Sequence, residues 1–127
     1  MRLPDIDDLI EFHAMSIETF GGAPGVRDRG ALEGSLARAE HLIAYAEQEV
    51  DVVDVAAAVC ASICRNHAFV DGNKRIAFIA LGIILELNGC YLDAREIDAE
   101  TIMMKLAAGT LPEDEFTAWV RVSVIPA

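Results

Sequence analysis

The stretch NHAFVDGNKRIAF, residues 66–78, lies between two long apolar segments and holds a histidine, a carboxylate, a glycine, an asparagine and two adjacent cations. Asp71-Gly72 is a turn pair and Asn73 tolerates unusual backbone angles, so a helix arriving from the N-terminal side breaks between His67 and Asn73. A new helix then begins. The first turn of that second helix presents backbone N–H groups without partners at the positive end of its dipole, a ready site for phosphate.

The flanks set the fold class. Upstream, residues 52–66 are apolar nearly all round, and downstream Ile76 to Leu87 repeats this, stopped by Asn88-Gly89; helices of that kind are central ones. Leu3, Ile6, Leu9, Ile10, His13, Ile17 and Phe20 recur at spacings of three and four, which predicts an amphipathic helix over residues 5–20 with Pro4 near its start and GGAPG, residues 21–25, as its end. Ala31 to Ala46 repeats the pattern through Leu32, Leu36, Leu42 and Ile43. A further helix opened by Asp93 or Asp98 runs to Ala108 before Gly109, and TLPE, residues 110–113, reads as a capping box with Thr110 as cap for a last helix carrying Phe116, Trp119 and Val120. The expectation is an all-α, compact, single-domain bundle of about six helices spanning 1–127, with the active loop between the two central ones. No internal repeat, low-complexity segment or linker suggests a second domain.

Composition agrees. A chain of 127 residues can bury roughly two thirds of the surface its unfolded form exposes. It is 54% hydrophobic but only 6% aromatic, which favours packed helices over a β-sandwich. A formal net charge of −11 opposes attraction to nucleic acid phosphates or an anionic membrane. Residues 65–75 nevertheless gather Arg65, Lys74 and Arg75 against Asp71 alone. A small basic patch on an acidic molecule suits a small polyanion rather than a long one.

Three cysteines, Cys60, Cys64 and Cys90, cannot all pair, and Asp5, Asp7 and Asp8 interrupt any leader-like apolar run, so a reducing cytoplasm is the expected compartment. The longest uncharged runs, Val55–Cys64 and Ile76–Leu85, are ten residues each, about half the roughly 20 a bilayer requires. Cys60, Cys64 and His67 have the spacing of a partial metal site, but no fourth ligand is evident, and small buried thiols among alanines are the plainer account.

Around the loop the side chains complement a nucleotide. Lys74 and Arg75 bring positive charge, and Asp71 offers the oxygen that Mg²⁺ prefers beside phosphate oxygens. His67 supplies an imidazole able to take a proton from an attacking hydroxyl near neutral pH. Phe69, between them, points the other way into the core as an anchor. Each feature alone is common in turns and helix ends; their concurrence in nine residues is not.

The run His67-Ala-Phe-Val-Asp-Gly-Asn-Lys-Arg75 resembles the signature of the Fic/Doc superfamily, His-x-Phe-x-Asp/Asn/Glu-Ala/Gly-Asn-Gly/Lys-Arg, and its Asn-Lys-Arg ending resembles the Doc, or "death on curing", branch. FGGAPGVRDRGALEGSLARAE, residues 20–40, is similar to the Tyr/Phe-Gly-Gly-x-Pro-Gly segment and following helix of that branch, so the likeness covers essentially the whole chain. It implies a Doc-like toxin of a type II toxin-antitoxin system that transfers part of ATP to a protein hydroxyl. In that role His67 is the general base, Asp71 the Mg²⁺ ligand, Gly72, Asn73 and Lys74 the phosphate-binding loop, Arg75 a phosphate contact and Phe69 the structural anchor.

Departures from the wider family bear on the reaction. Fic adenylyltransferases usually carry a small residue after the asparagine and often a second arginine, whereas here Lys74 fills that place and Ile76 to Phe78 offer no arginine. In Doc relatives this goes with transfer of the γ-phosphate, with elongation factor Tu as target. AMP transfer by the same site, and a catalytically silent binding module, are the competing readings. Gly72 is the Fic-like choice where Doc has Ala. Self-restraining Fic proteins carry Ser/Thr-x-x-x-Glu-Gly/Asn, but the residue four before Glu33-Gly34 is Arg29. The resemblance therefore implies restraint in trans by a Phd-like antitoxin, docking on apolar surface near residues 1–20 or 94–108.

Overall fold

The computed structural model describes residues 1–127. Six helices run α1 Ile6–Phe20, α2 Arg29–Tyr45, α3 Val52–Asn66, α4 Asn73–Leu87, α5 Glu96–Ala108 and α6 Glu113–Ser123. The all-helical expectation holds, with one small addition: β1 Cys90–Leu92 pairs antiparallel with β2 Val124–Pro126, Tyr91 opposite Ile125. No helix is long and apolar enough to cross a membrane.

Two acidic capping boxes start the helices that matter most. Asp5 accepts from the Asp8 amide at 2.8 Å while the Asp8 carboxylate accepts from the Asp5 amide at 3.3 Å, and Asp51 and Asp54 repeat this at the start of α3 at 3.0 and 3.2 Å. Carboxylates there satisfy orphan amides and face the positive end of the dipole. Arg121 of α6 then bridges Asp51 and Asp54 at 2.6 and 2.7 Å, tying the last helix to that cap.

α3 is the axis of the bundle. Every residue from Val55 to Ala61 is buried, and the helix packs against α2, α4, α5 and α6. α4 contributes Ile76, Ala77, Ala80, Leu81, Ile84 and Leu85 to the same core, so the two helices predicted to be central are. The alanines Ala56, Ala57, Ala61, Ala77 and Ala80 are wholly buried; small side chains on facing helices allow the backbones to approach closely.

Two expectations at element ends are corrected. Neither Asp93 nor Asp98 caps α5; Arg95 occupies the cap position without a side-chain cap, its Nε donating instead to the Asp98 carboxylate at 2.9 Å. Thr110 does not open α6: its hydroxyl donates to the Lys105 carbonyl at 3.3 Å, closing α5 instead, while Pro112 sits at the cap of α6. At the end of α4 the expected stop holds: Asn88 is the cap, at φ −115°, and Gly89 adopts the left-handed region, at +81°. Ile43, placed on the apolar stripe of α2, is exposed; the buried face of that helix is Leu32, Ser35 and Ala39.

A candidate active site at the start of helix α4

The helix-loop-helix expected around residues 66–73 is present, and its turn is built by two asparagines that sequence alone did not distinguish. Asn66, last in α3, accepts the Ala68 amide on its Oδ1 at 3.1 Å, so the chain turns at His67. His67 takes φ 52°, ψ 43°, the one non-glycine residue with positive φ. That conformation costs an L-residue roughly 1–2 kcal/mol, and Asn66 is itself pinned: its Nδ2 donates to the Ala31 carbonyl at 2.9 Å and to Ser35 Oγ at 2.6 Å, with Ser35 and Ser62 hydroxyls 2.7 Å apart. A polar seam between α2 and α3 thereby aims the histidine outward, where it is exposed.

Asn73 staples the other end. Its Oδ1 accepts the Phe69 amide at 3.0 Å and its Nδ2 donates to the Phe69 carbonyl at 2.9 Å. The side chain assigned to phosphate is thus spent on the loop, and what Asn73 can offer an anion is its backbone N–H. The Phe69 ring is buried as expected and stacks on His13 of α1, centroids 3.9 Å apart and planes 18° apart.

The GGAPG segment is more than a helix terminator. After it, Arg27 and Asp28 amides both donate to the Ala68 carbonyl, at 2.8 and 2.9 Å, the Val70 amide donates to Gly25 at 3.1 Å, and Val26 forms a lone antiparallel bridge with Phe69. The segment therefore lies alongside residues 68–71 and reaches Asp71. The Asp71 carboxylate accepts from the Ala23 amide at 3.0 Å and from the Gly72 amide at 2.8 Å. Those two donors, with Arg75 and His13 nearby, hold its carboxyl below the usual carboxylate range. Gly22 (φ 117°) is needed for this approach, because a Cβ there would lie 2.9 Å from Asp71 Oδ2.

Gly72 (φ 73°) is the cap residue of α4, and a Cβ on it would press on Ile17 at 3.2 Å and touch His13 at 3.5 Å. No side chain caps this helix, and its first-turn amides at Asn73, Lys74 and Arg75 have no acceptor within it. Arg75 is held against the C-terminal end of α1, where cations are favoured: its Nη1 donates to the Gly21 carbonyl at 3.0 Å and more weakly to Ser16, with the guanidinium 5.5 Å above the Phe20 ring. Lys74 is exposed. Arg65, grouped with these cations by proximity in sequence, does not line the cavity and donates to the Leu111 carbonyl at 3.1 Å, beside the α5–α6 connection.

His67 and the run from Val70 to Arg75 line one cavity of about 400 Å³, closed by Cys64 and Ala107. The residues that carry the candidate base, the carboxylate, the free helix amides and both cations therefore line a single space, of small-molecule size. Cys64 is buried and its thiol is raised above the ordinary value by that burial. A second, more apolar groove of about 900 Å³ begins at Lys74 and Arg75 and runs between Phe20, α4, β1 and α5. Residues that sequence reading missed are His13, Gly22, Ala23 and Asn66. His13 was visible only as a polar interruption of the α1 apolar stripe.

The sequence has known counterparts. The Fic/DOC family model matches residues 3–85. The chain is 39% identical over 101 residues to the "Toxin Doc" of Mycolicibacterium smegmatis, covering 78% of each. It is 35% identical over 103 residues to the "Protein kinase doc" of Escherichia phage P1, covering 80% of this chain and 81% of that one. The residues matched by the family model span α1 to α4 and so the stretch that carries the site, and the chain belongs to the Fic/DOC family.

Proposed function

We propose that this protein is a Doc-like toxin that transfers the γ-phosphate of ATP to a Ser or Thr hydroxyl of a translation factor, elongation factor Tu being the expected target. The observation that carries this reading is the concentration of a base, an ionised carboxylate, three unpartnered helix amides and two cations on one 400 Å³ cavity. The name of the phage relative, a protein kinase, points the same way. So does Lys74, whose length and charge occupy the place where adenylyltransferases of the family carry a small residue.

Mg²⁺ bound with ATP would be held by Asp71 and would neutralise charge on the phosphates. Everything else falls to the chain. His67 takes the proton of the acceptor hydroxyl, whose oxygen forms a bond to the γ-phosphorus as the bond from that phosphorus to the β,γ-bridging oxygen breaks, leaving ADP. The amides of Asn73, Lys74 and Arg75, with the two side-chain cations, stabilise negative charge on the transferring group. The Phe69–Asn73 staple holds these donors in place before substrate arrives.

For restraint we propose a Phd-like antitoxin whose C-terminal segment occupies the 900 Å³ groove. The groove has an apolar floor of Phe20, Phe78, Ile79 and Met103, cations at one end in Lys74 and Arg75, and carboxylates at Glu86, Glu96 and Glu100. An amphipathic segment with basic residues facing those carboxylates would match it. Glu33 is paired with Arg29 at 3.2 Å and is not placed to restrain Arg75 in cis.

The deciding experiment incubates the protein and elongation factor Tu with ATP labelled at the γ or the α position. Label transferred from γ alone, and lost in His67→Asn and Asp71→Asn, is the expected outcome. Label from α on the target would replace this reading with AMP transfer. No label from either, with no effect of expression on growth, would make the fold a silent binding module.

A further inference from the structure

We propose that His13, a buried residue of α1, is the positioning residue of the active loop, holding the Asp71 main chain through its Nε2–H and backing the Phe69 ring. This deepens the transferase reading and rests on it. His13 is 3% exposed, and its Nε2 lies 2.7 Å from the Asp71 carbonyl oxygen. A carbonyl oxygen can only accept, so the proton of that bond is on Nε2. The same ring stacks on Phe69 at 3.9 Å and would be 3.5 Å from any Cβ at position 72.

A core histidine with an arbitrary carbonyl partner would be the plain alternative. Here one ring stacks on Phe69 and bonds Asp71, and it lies where a Cβ at position 72 would meet it. From the opposite side Ala23 holds the Asp71 carboxylate at 3.0 Å. Main chain and side chain of the one carboxylate assigned to the metal are thereby gripped by two different segments, α1 and the glycine-rich segment. A donor that orients the residue behind a ligand typically contributes roughly 10- to 100-fold in metal affinity or activity.

Two variants separate the functions of the ring. His13→Phe keeps a ring against Phe69 but has no donor; His13→Gln keeps an amide donor near the Nε2 position but has no ring. With Mg-ATP and the protein acceptor, transfer should fall roughly 10- to 100-fold in His13→Phe, through kcat and the Mg²⁺ requirement with the KM for acceptor unchanged, and recover largely in His13→Gln. Hydrogen exchange at the Ala23 and Gly72 amides should accelerate in His13→Phe and not in His13→Gln. Wild-type transfer and exchange in His13→Phe, or equal impairment in both variants, would overturn the proposal. Should a variant fail to fold, nitrogen NMR of the wild-type imidazole at mildly alkaline pH still decides: a proton on Nε2 is expected, and one on Nδ1 alone overturns it. If the wild-type protein transfers no label the function proposed above fails, while exchange and the imidazole spectrum continue to report on His13.

Discussion

Asn73→Ala tests whether the asparagine of the loop serves the loop or the phosphate. The Asn73 amide makes two bonds to one residue, Phe69 N–H at 3.0 Å and Phe69 C=O at 2.9 Å, beneath a ring that is 1% exposed. Alanine removes both partners at once. A buried donor or acceptor left unsatisfied costs about 1–3 kcal/mol, and since Asn73 is only half-buried, water recovers part of this; the expected loss is about 2–4 kcal/mol. Helix propensity adds nothing to the cost, because alanine is the best helix former. Against a total stability on the order of 5–15 kcal/mol the change is large, and the urea midpoint should fall by about 1–2 M. Asn73→Asp, which keeps the acceptor for Phe69 N–H and adds a charge favoured at a helix N-terminus, should lose markedly less. The Phe69 amide should exchange fastest in the alanine variant. If Asn73→Ala instead keeps its midpoint while binding of Mg-ATP collapses, the amide meets phosphate and the staple is incidental.

Other expectations follow from the same geometry. Phe69→Ala should destabilise by roughly 3–5 kcal/mol, read by thermal unfolding, because a fully buried ring leaves a cavity between α1 and the loop. His67→Ala should cost about 1–2 kcal/mol more than His67→Gly, since only the first keeps a Cβ in the left-handed region, and so His67→Asn, better tolerated there, is the cleaner test of the base. Asp71 is held below its ordinary value first by the Ala23 amide and then by that of Gly72, so its contribution to stability is present above pH about 4 and lost as pH falls through the lower folded value. The difference in denaturant midpoint between wild type and Asp71→Asn should therefore shrink in strong acid; a difference that grows there would refute the assignment. Asp51→Ala should cost about 1 kcal/mol through loss of the α3 cap, with Arg121 left without one of its two carboxylates; urea unfolding measures it.

Much of this molecule is legible along the chain because its information is local. The spacing of Leu9, His13 and Ile17 describes a helix face, the near-continuous apolar runs of α3 and α4 describe burial, and Asp71-Gly72 announces a break. Element ends were read less well where several polar residues compete. Thr110, three residues ahead of Glu113, has the spacing of a cap, yet its hydroxyl bonds the Lys105 carbonyl; Arg95 rather than either aspartate takes the cap position of α5. The two three-residue strands are too short to show alternation, and their partners lie at opposite ends of the segment they close.

What the sequence alone determined is the chemistry: a histidine, a carboxylate, a glycine and two cations in nine residues, at a break between two central helices. Tertiary structure decided how those groups are held. The partners that aim them, His13 on α1, Ala23 in the glycine-rich segment and Ser35 on α2, are 58, 48 and 31 positions from Asp71, Asp71 and Asn66. Contacts across such separations leave no periodic trace, since each depends on the crossing of whole helices rather than on neighbours in the chain. For the same reason the partner of Arg65 could not be read from the chain: its guanidinium donates to the Leu111 carbonyl, 46 positions away, beside the α5–α6 connection.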